Sequence, residues 1–510
     1  MSSSGRRFIM SLVGTLLLLG ALGCAGRSDR STLTMIIESS PTNLDPRVGI
    51  DAYSERIDNL IFDDLLTRGE HFQVQPGLAE RWEIPDPLTY IFHLHHGVRF
   101  HDGRPLTSRD VKYTFDSVLN GKIVSTKAAV YRFVDDIETP DDYTVIFRMK
   151  QPFVSLLWNV SGGGIGIVPY GSGTEVTKHP IGSGPFRFVG AELDKQVDIE
   201  RNDDYWGEKA HLARVHFAVV PDTTTRALEL RKGSADLEIN AVTGDMVLSL
   251  QREQNLEVLR APGTALNYLA LNCRDPILRD VRVRQALAYA IDRRPMLQYL
   301  RRGFGRLATN VLPPESWAYN PDVPNHDYNP ERARQLLEAA GYPARNGVRF
   351  HLTIKTSTEE DPRLLAAVLQ QQLRDVGIAL DIRSFEFATF FSDVSKGLFQ
   401  IYPLRWAGSS EDPDIFEYAF DSEKFPPHGA NRSFYSNPRL DALVDRGRSE
   451  LDQNVRRQIY AEIQIILAQD LPYINLWYQD NVLVHSRRVH NLTLNPSGNY
   501  DFLKTAEIGK

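Results

Sequence analysis

The sequence predicts an exported α/β protein of several lobes. Three observations carry that reading: an apolar leader that ends at a cysteine, a first half of short alternating strands, and a second half in which strands and helices take turns. In the leader, Arg6 and Arg7 precede an uncharged, mostly apolar run of about 16 residues, from 8 to 23. A membrane-spanning helix needs roughly 20, so this length suits the apolar core of an export signal. Gly20, Ala21 and Gly23 before Cys24 resemble the site at which bacterial lipoproteins are cut and acylated. The usual large aliphatic residue three before the cysteine is here Ala21, with Leu22 one place late. Residues 1–23 are therefore expected to be a removed signal and Cys24 the lipidated residue. Residues 24–31 then form a polar tether.

The remaining chain of about 487 residues is long enough for two or three domains. Removing Arg6 and Arg7 moves the formal net charge from −7 to −9, which argues mildly against nucleic acid as a partner. Cys24 and Cys273 are the two cysteines. With lipid on Cys24 there is no disulfide within the chain, so hydrophobic cores must hold it together. Cys273 reads as a small buried apolar residue rather than a catalytic thiol.

Strands are expected at 32–39, 88–94, 143–149, 186–189 and 214–220. Leu88, Tyr90, Phe92 and Leu94 alternate with polar residues, as do Tyr143, Val145, Phe147 and Met149. Glycine and proline clusters at 101–103, 162–164 and 180–185 punctuate them. From about 280 the rhythm changes. Val283, Leu287, Ala290 and Ile291 share a helical face. Asn329 and Pro330 open a second helix, which Gly341 closes. A strand at 348–354, a helix from Asp361–Pro362 to Gly377, a strand at 378–382, a short helix to 396 and a strand at 398–406 follow. This is the pattern of an open α/β sheet, in which ligands sit beyond the carboxyl ends of the strands. The segment leaving the last of these strands, 406–414, is thereby nominated as site lining. A long helix through Val455, Ile459, Ile463 and Leu467 and a strand at 473–478 complete the region.

Catalytic motifs are missing: the chain has no G-x-S-x-G, H-E-x-x-H, phosphate-binding P-loop, G-x-G-x-x-G or C-x-x-C. His93, His95, His96 and His101 read as strand and turn residues rather than metal ligands. Asp412 and Asp414 flank a proline and read as a turn, a helix cap or ligand contacts rather than as paired catalytic acids. Neither an enzymatic activity, a metal nor a cofactor is expected; the rival reading from another class is an exported hydrolase using Asp412 or Asp414.

Specific stretches carry a resemblance. They are P-T-N-L-D-P (41–46), P-G-L-A-E-R-W (76–82), F-H-D-G-R-P-L-T-S-R-D-V (100–111), G-S-G-P-F (182–186), R-N-D-D-Y-W (201–206), V-R-Q-A-L-A-Y-A-I-D-R (283–293), N-P-E-R-A-R-Q-L-L-E-A-A-G (329–341), D-P-D (412–414), and Asn431 to Pro438. In number, order and spacing they make the chain resemble the cluster C, or family 5, substrate-binding lipoproteins of ABC importers, of oligopeptide- and dipeptide-binding type. The resemblance implies a periplasmic-binding-protein-like II fold, with two hinged α/β lobes closing on a ligand and a third lobe inserted. Lobe I would comprise 32–72, 181–277 and 483–510, lobe II 73–180, and lobe III 278–482. Most motif residues, among them Asp102, Asp110, Arg284, Arg293 and Gly341, are scaffold.

The resemblance further implies a monomeric receptor at the cell surface or in the periplasm, anchored by lipid. It would carry peptides to the transmembrane subunits of an ABC permease. The implied ligand-binding set is Asp51, Ala52 and Tyr53, from a loop whose backbone adds a strand to the peptide, with Arg405, Trp406, Ser409, Glu411, Asp412 and Asn431. Peptide-binding relatives keep an aspartate three residues after the tryptophan, facing the peptide's ammonium; that position is Ser409 here. A hydroxyl cannot balance a buried ammonium. Either Glu411 or Asp412 substitutes, or the cargo has no free amino terminus there, which admits blocked peptides, oligosaccharides, opines or metal chelates.

Overall fold

The computed structural model describes residues 32–69, 71–406 and 412–509, so Cys24, Ser409 and Glu411 lie outside the described residues. The expected first-half strands form as Thr32–Ile37, Thr89–Leu94, Thr144–Met149, Phe186–Glu192 and Arg214–Val219. Thr89–Leu94 and Thr144–Met149 are the centre of an antiparallel four-stranded sheet, with Ala79–Asp86 and Val134–Asp141 at its edges. Its alternation is a burial pattern: Tyr90, Phe92, Val145 and Phe147 are buried against Val111 and Phe115 of the helix Ser108–Leu119. Phe147 meets Phe92 and Phe115 edge to face, at 5.5 and 5.2 Å.

In the second half Asn329 accepts the Arg332 amide at 2.9 Å and caps the helix Pro330–Ala339. The strand Phe350–Ser357 lies parallel both to Ile378–Phe385 and to Ile401–Trp406. The helices Glu360–Arg374 and Phe387–Ser395 connect them. Apolar residues of both faces, such as Leu352, Leu369 and Ile378, bury together with Val283 and Leu287 of the helix Val281–Ala290.

One continuous sheet links the two halves. Its order is Ile378–Phe385, Phe350–Ser357, Ile401–Trp406, Leu256–Leu271, Tyr473–Ser486, Leu237–Ile239, Thr32–Ile37, Arg214–Val219, Gln196–Arg201, Phe186–Glu192. The two longest strands, Leu256–Leu271 and Tyr473–Ser486, run antiparallel through both lobes. Leu256, Val482 and Val484 pack with Ile36 and Leu230 in a core of lobe I, the first lobe of the cleft, whereas Leu269, Leu271, Ile474 and Leu476 pack in a core of lobe III, the second lobe of the cleft. The chain therefore passes from one core to the other inside these strands. The ladder is interrupted there, between Ala261 and Ala265. Such bulges concentrate bending and twist. Gly263 sits in it, and a Cβ would stand 2.2 Å from the Gln479 carbonyl oxygen, so the close approach of the two strands requires glycine.

The four-stranded sheet's lobe also touches the second lobe. Arg132 lies 3.5 Å from Glu417, and the Val154 amide donates to the Arg448 carbonyl at 3.1 Å. The Arg448 guanidinium lies 5.2 Å from the Phe153 ring centroid.

Candidate functional site

On the first-lobe side of the gap Glu38 and Arg56 are the charges that act on Arg405, and Arg56 belongs to the helix Ala52–Ile61. Asp51 is its N-cap: its carboxylate accepts from the amides of Tyr53 (3.1 Å), Ser54 (2.9 Å) and Thr42 (3.1 Å), and from the hydroxyls of Thr42 and Ser54. These donors hold its carboxyl below the ordinary range, against burial. Read from the sequence as a loop that offers backbone to a ligand, Asp51, Ala52 and Tyr53 instead start a helix. The Tyr53 amide is engaged by the cap, and its ring packs on the first-lobe core. Serine, threonine and aspartate around a turn favour a cap over an open loop.

Nearby motif residues are structural, as expected. Arg47 is fully buried, pairs with Asp45 at 2.7 Å and reaches Ser117 at 3.2 Å. The His101 amide donates to the Gly182 carbonyl at 2.8 Å, which ties two motifs together. Burial lowers the His101 pKa to about 4. Arg284 and Arg293 donate to backbone carbonyls of Asp470 and Ala308, at 2.6 and 2.8 Å.

On the second-lobe side a cavity of about 370 Å³ opens at the carboxyl ends of the parallel strands. Its wall includes Asn267, Arg301, Ser357, Glu359, Arg405 and Trp477. Arg405 stands opposite Asn267 in the ladder and donates weakly to Gln479 at 3.4 Å; among the described residues it forms no ion pair. Crowding by protein, and then Arg301 beside it, pull its pKa down. Arg301 pairs with Asp361 at 2.7 Å. From across the gap the charges closest to Arg405 are Glu38 and Arg56.

Trp406 stacks on Tyr268 (6.2 Å, 13°) and meets Tyr418 edge on. Asp412 is buried, accepts the Asp414 amide at 2.8 Å and faces Arg456 and Arg68; burial, and then the Asp414 charge, push its carboxyl up. Asp414 lies 3.3 Å from Arg448 at the start of the helix Ile415–Phe420. Asn431 is shut inside the fold. It is fully buried, donates to the carbonyls of Asp421 (2.9 Å) and Tyr435 (2.8 Å) and accepts the Tyr435 amide, so its place in the implied ligand set is corrected to that of a loop clamp. Ser409 and Glu411 lie outside the described residues.

Sequence reasoning missed Asn267, Arg301, Trp477 and Gln479. Three of them sit on the two crossing strands and Arg301 in a turn after the helix Arg293–Leu300, where no motif marks them. Cys273 is half-buried, and burial raises its thiol pKa to about 11, which leaves it protonated at neutral pH. No cluster of metal-ligating side chains occurs among the described residues.

Two lobes joined by a bulged pair of strands, with a cavity at their mouth, define a ligand-trapping binding protein of the periplasmic type. Residues 73–425 match the bacterial extracellular solute-binding proteins, family 5, and the chain belongs to that family. It is 26% identical to the dipeptide-binding protein of Escherichia coli over 517 residues, covering 95% of this chain and 96% of the relative. The structure of HbpA2 from Haemophilus parasuis matches with a TM-score of 0.83 and 28% identity, over 94% of this chain and 100% of that one. The oligopeptide-binding protein AppA of Bacillus subtilis, solved with a nonapeptide, matches with a TM-score of 0.77 and 26% identity, over 94% of this chain and 99% of that one.

Proposed function

We propose that this protein captures peptides between its lobes outside the cytoplasm and delivers them to an ATP-driven permease. The observation that carries the reading is the cavity at the strand ends, beside the bulged strand pair along which the two lobes join. Full-length similarity to peptide-binding relatives supports peptide as the cargo. Closure buries the ligand, and the closed form is what a membrane partner can recognise. Lobe I is taken as 32–72, 181–277 and 483–510; lobe II as 73–180; lobe III as 278–482. Lipid on Cys24 would keep the monomeric body beside its permease, with more than one acyl chain needed for firm anchoring.

A non-peptide solute is the second reading. Ser409 stands where peptide receptors of this type are expected to place an acid for the ammonium of the cargo. Native mass spectrometry of protein purified without denaturation separates the two. Retained masses of short peptides support the first reading; a sugar or metal chelate removes peptides but keeps the receptor. Steady product formation from a candidate solute contradicts both.

A further inference from the structure

We infer that the second-lobe cavity is a carboxylate site, in which the Arg405 guanidinium binds the carboxylate of the cargo. The inference rests on the cavity being the ligand site proposed above. Its wall is rich in donors that the protein does not answer. Arg405 has one weak contact, to Gln479 at 3.4 Å, and no ion pair among the described residues. Arg301 Nε, the Asn267 side-chain amide nitrogen and the Trp477 indole nitrogen are buried in the same wall without an acceptor. Those three nitrogens are shut off from the cavity surface, whereas Arg405 is exposed to it, so Arg405 is the donor that a ligand oxygen can reach.

The acids nearby do not fill that role. Asp361 is held by Arg301 at 2.7 Å, and Glu38 lies 3.7 Å from Arg226. Glu359 is an exposed cavity-wall residue that forms no ion pair among the described residues, so it stands free for a cation elsewhere on the same cargo. An arginine fork matches a carboxylate through two parallel hydrogen bonds. Arg56, facing Arg405 from the first lobe, adds positive potential as the gap closes.

The carboxylate is either the carboxyl terminus or acidic side chain of a peptide, or a group on a non-peptide acid. Calorimetric titration of the mature chain with trialanine, trialanine amide, glutarate and citrate distinguishes these sources. The expected result is that trialanine binds about 100-fold tighter than its amide, and that this ratio falls to about 3-fold or less in Arg405→Gln with its melting curve unchanged; Arg405→Lys restores part of it. Binding of glutarate or citrate alone, lost in Arg405→Gln, keeps the carboxylate site and overturns the peptide cargo. Equal binding of acid and amide by the wild type, or a ratio that survives Arg405→Gln, overturns the carboxylate site and keeps the peptide. Binding of none of the four overturns both.

Discussion

The two walls of the cleft are built from similar residue types and treat them oppositely. On the first-lobe wall the carboxylate of Asp51 meets five donors, all of them local, and the helix Ala52–Ile61 is fixed by them. On the second-lobe wall the guanidinium of Arg405 has one long contact, and neighbouring donors lack acceptors. A saturated polar group stabilises the fold and has nothing left to offer a ligand. An exposed, unpaired one such as Arg405 is solvated, costs the fold little and stays open to a ligand. The contrast assigns framework to the first wall and selectivity to the second.

Arg405→Gln attacks the contrast hardest. It should weaken binding of a carboxylate cargo by about 30-fold or more without lowering the melting temperature; a fall in stability with unchanged affinity would reverse the assignment of the two walls. Glu238 extends the comparison into the first-lobe core. It is fully buried, receives one hydrogen bond from the Ala241 amide at 2.7 Å, and burial raises its carboxyl to about 8 against the facing Arg226, with Glu38 adding to the rise. The fold therefore keeps a proton that the unfolded chain releases above about 4.5. Stability from this group is complete below that value and declines as pH rises to about 8, by at most about 1.4 kcal/mol per pH unit. Denaturant titrations of Glu238→Gln across that window should show a flatter profile, with cargo affinity unchanged.

Asp51→Ala should cost about 1 to 2 kcal/mol of stability through loss of the cap, while affinity measured by calorimetry stays within about 2-fold. A large affinity loss would return Asp51 to the ligand set. The smallest effect is expected at the lobe contact far from the strands. Arg132 is half-exposed, and its pair with Glu417 spans 3.5 Å. Arg132→Ala should weaken binding by no more than about 3-fold, more at low salt than at high, as a closure contact screened by water would.

Much of this architecture was legible from pattern alone. The Asn329 and Pro330 helix start and the alternating strands around Phe92 and Phe147 depend on local capping and burial, which neighbouring residues encode. The crossing strands were not. Leu256–Leu271 carries Pro262 and Gly263 at its middle and reads as a break, yet the same pair marks the bulge at which the lobes join. Tyr473–Ser486 was read only to 478 because Gln479, Asp480 and Asn481 interrupt its apolar run, although the ladder continues through them. The site followed the same division. Arg405 and Trp406 were found because they end a recognisable strand. Asn267 and Gln479 were missed because they lie on strands whose partners are over 130 residues away in the chain. Asn431 looked like a binding residue from its motif, but only burial reveals that its amide closes a loop.

A crystal structure of the protein with the cargo it retains through purification tests the central claim most directly. Carboxylate oxygens within about 3 Å of the Arg405 guanidinium, between the two lobes, are the predicted result. An ammonium or apolar group at that position, or cargo bound away from the gap, would contradict the account.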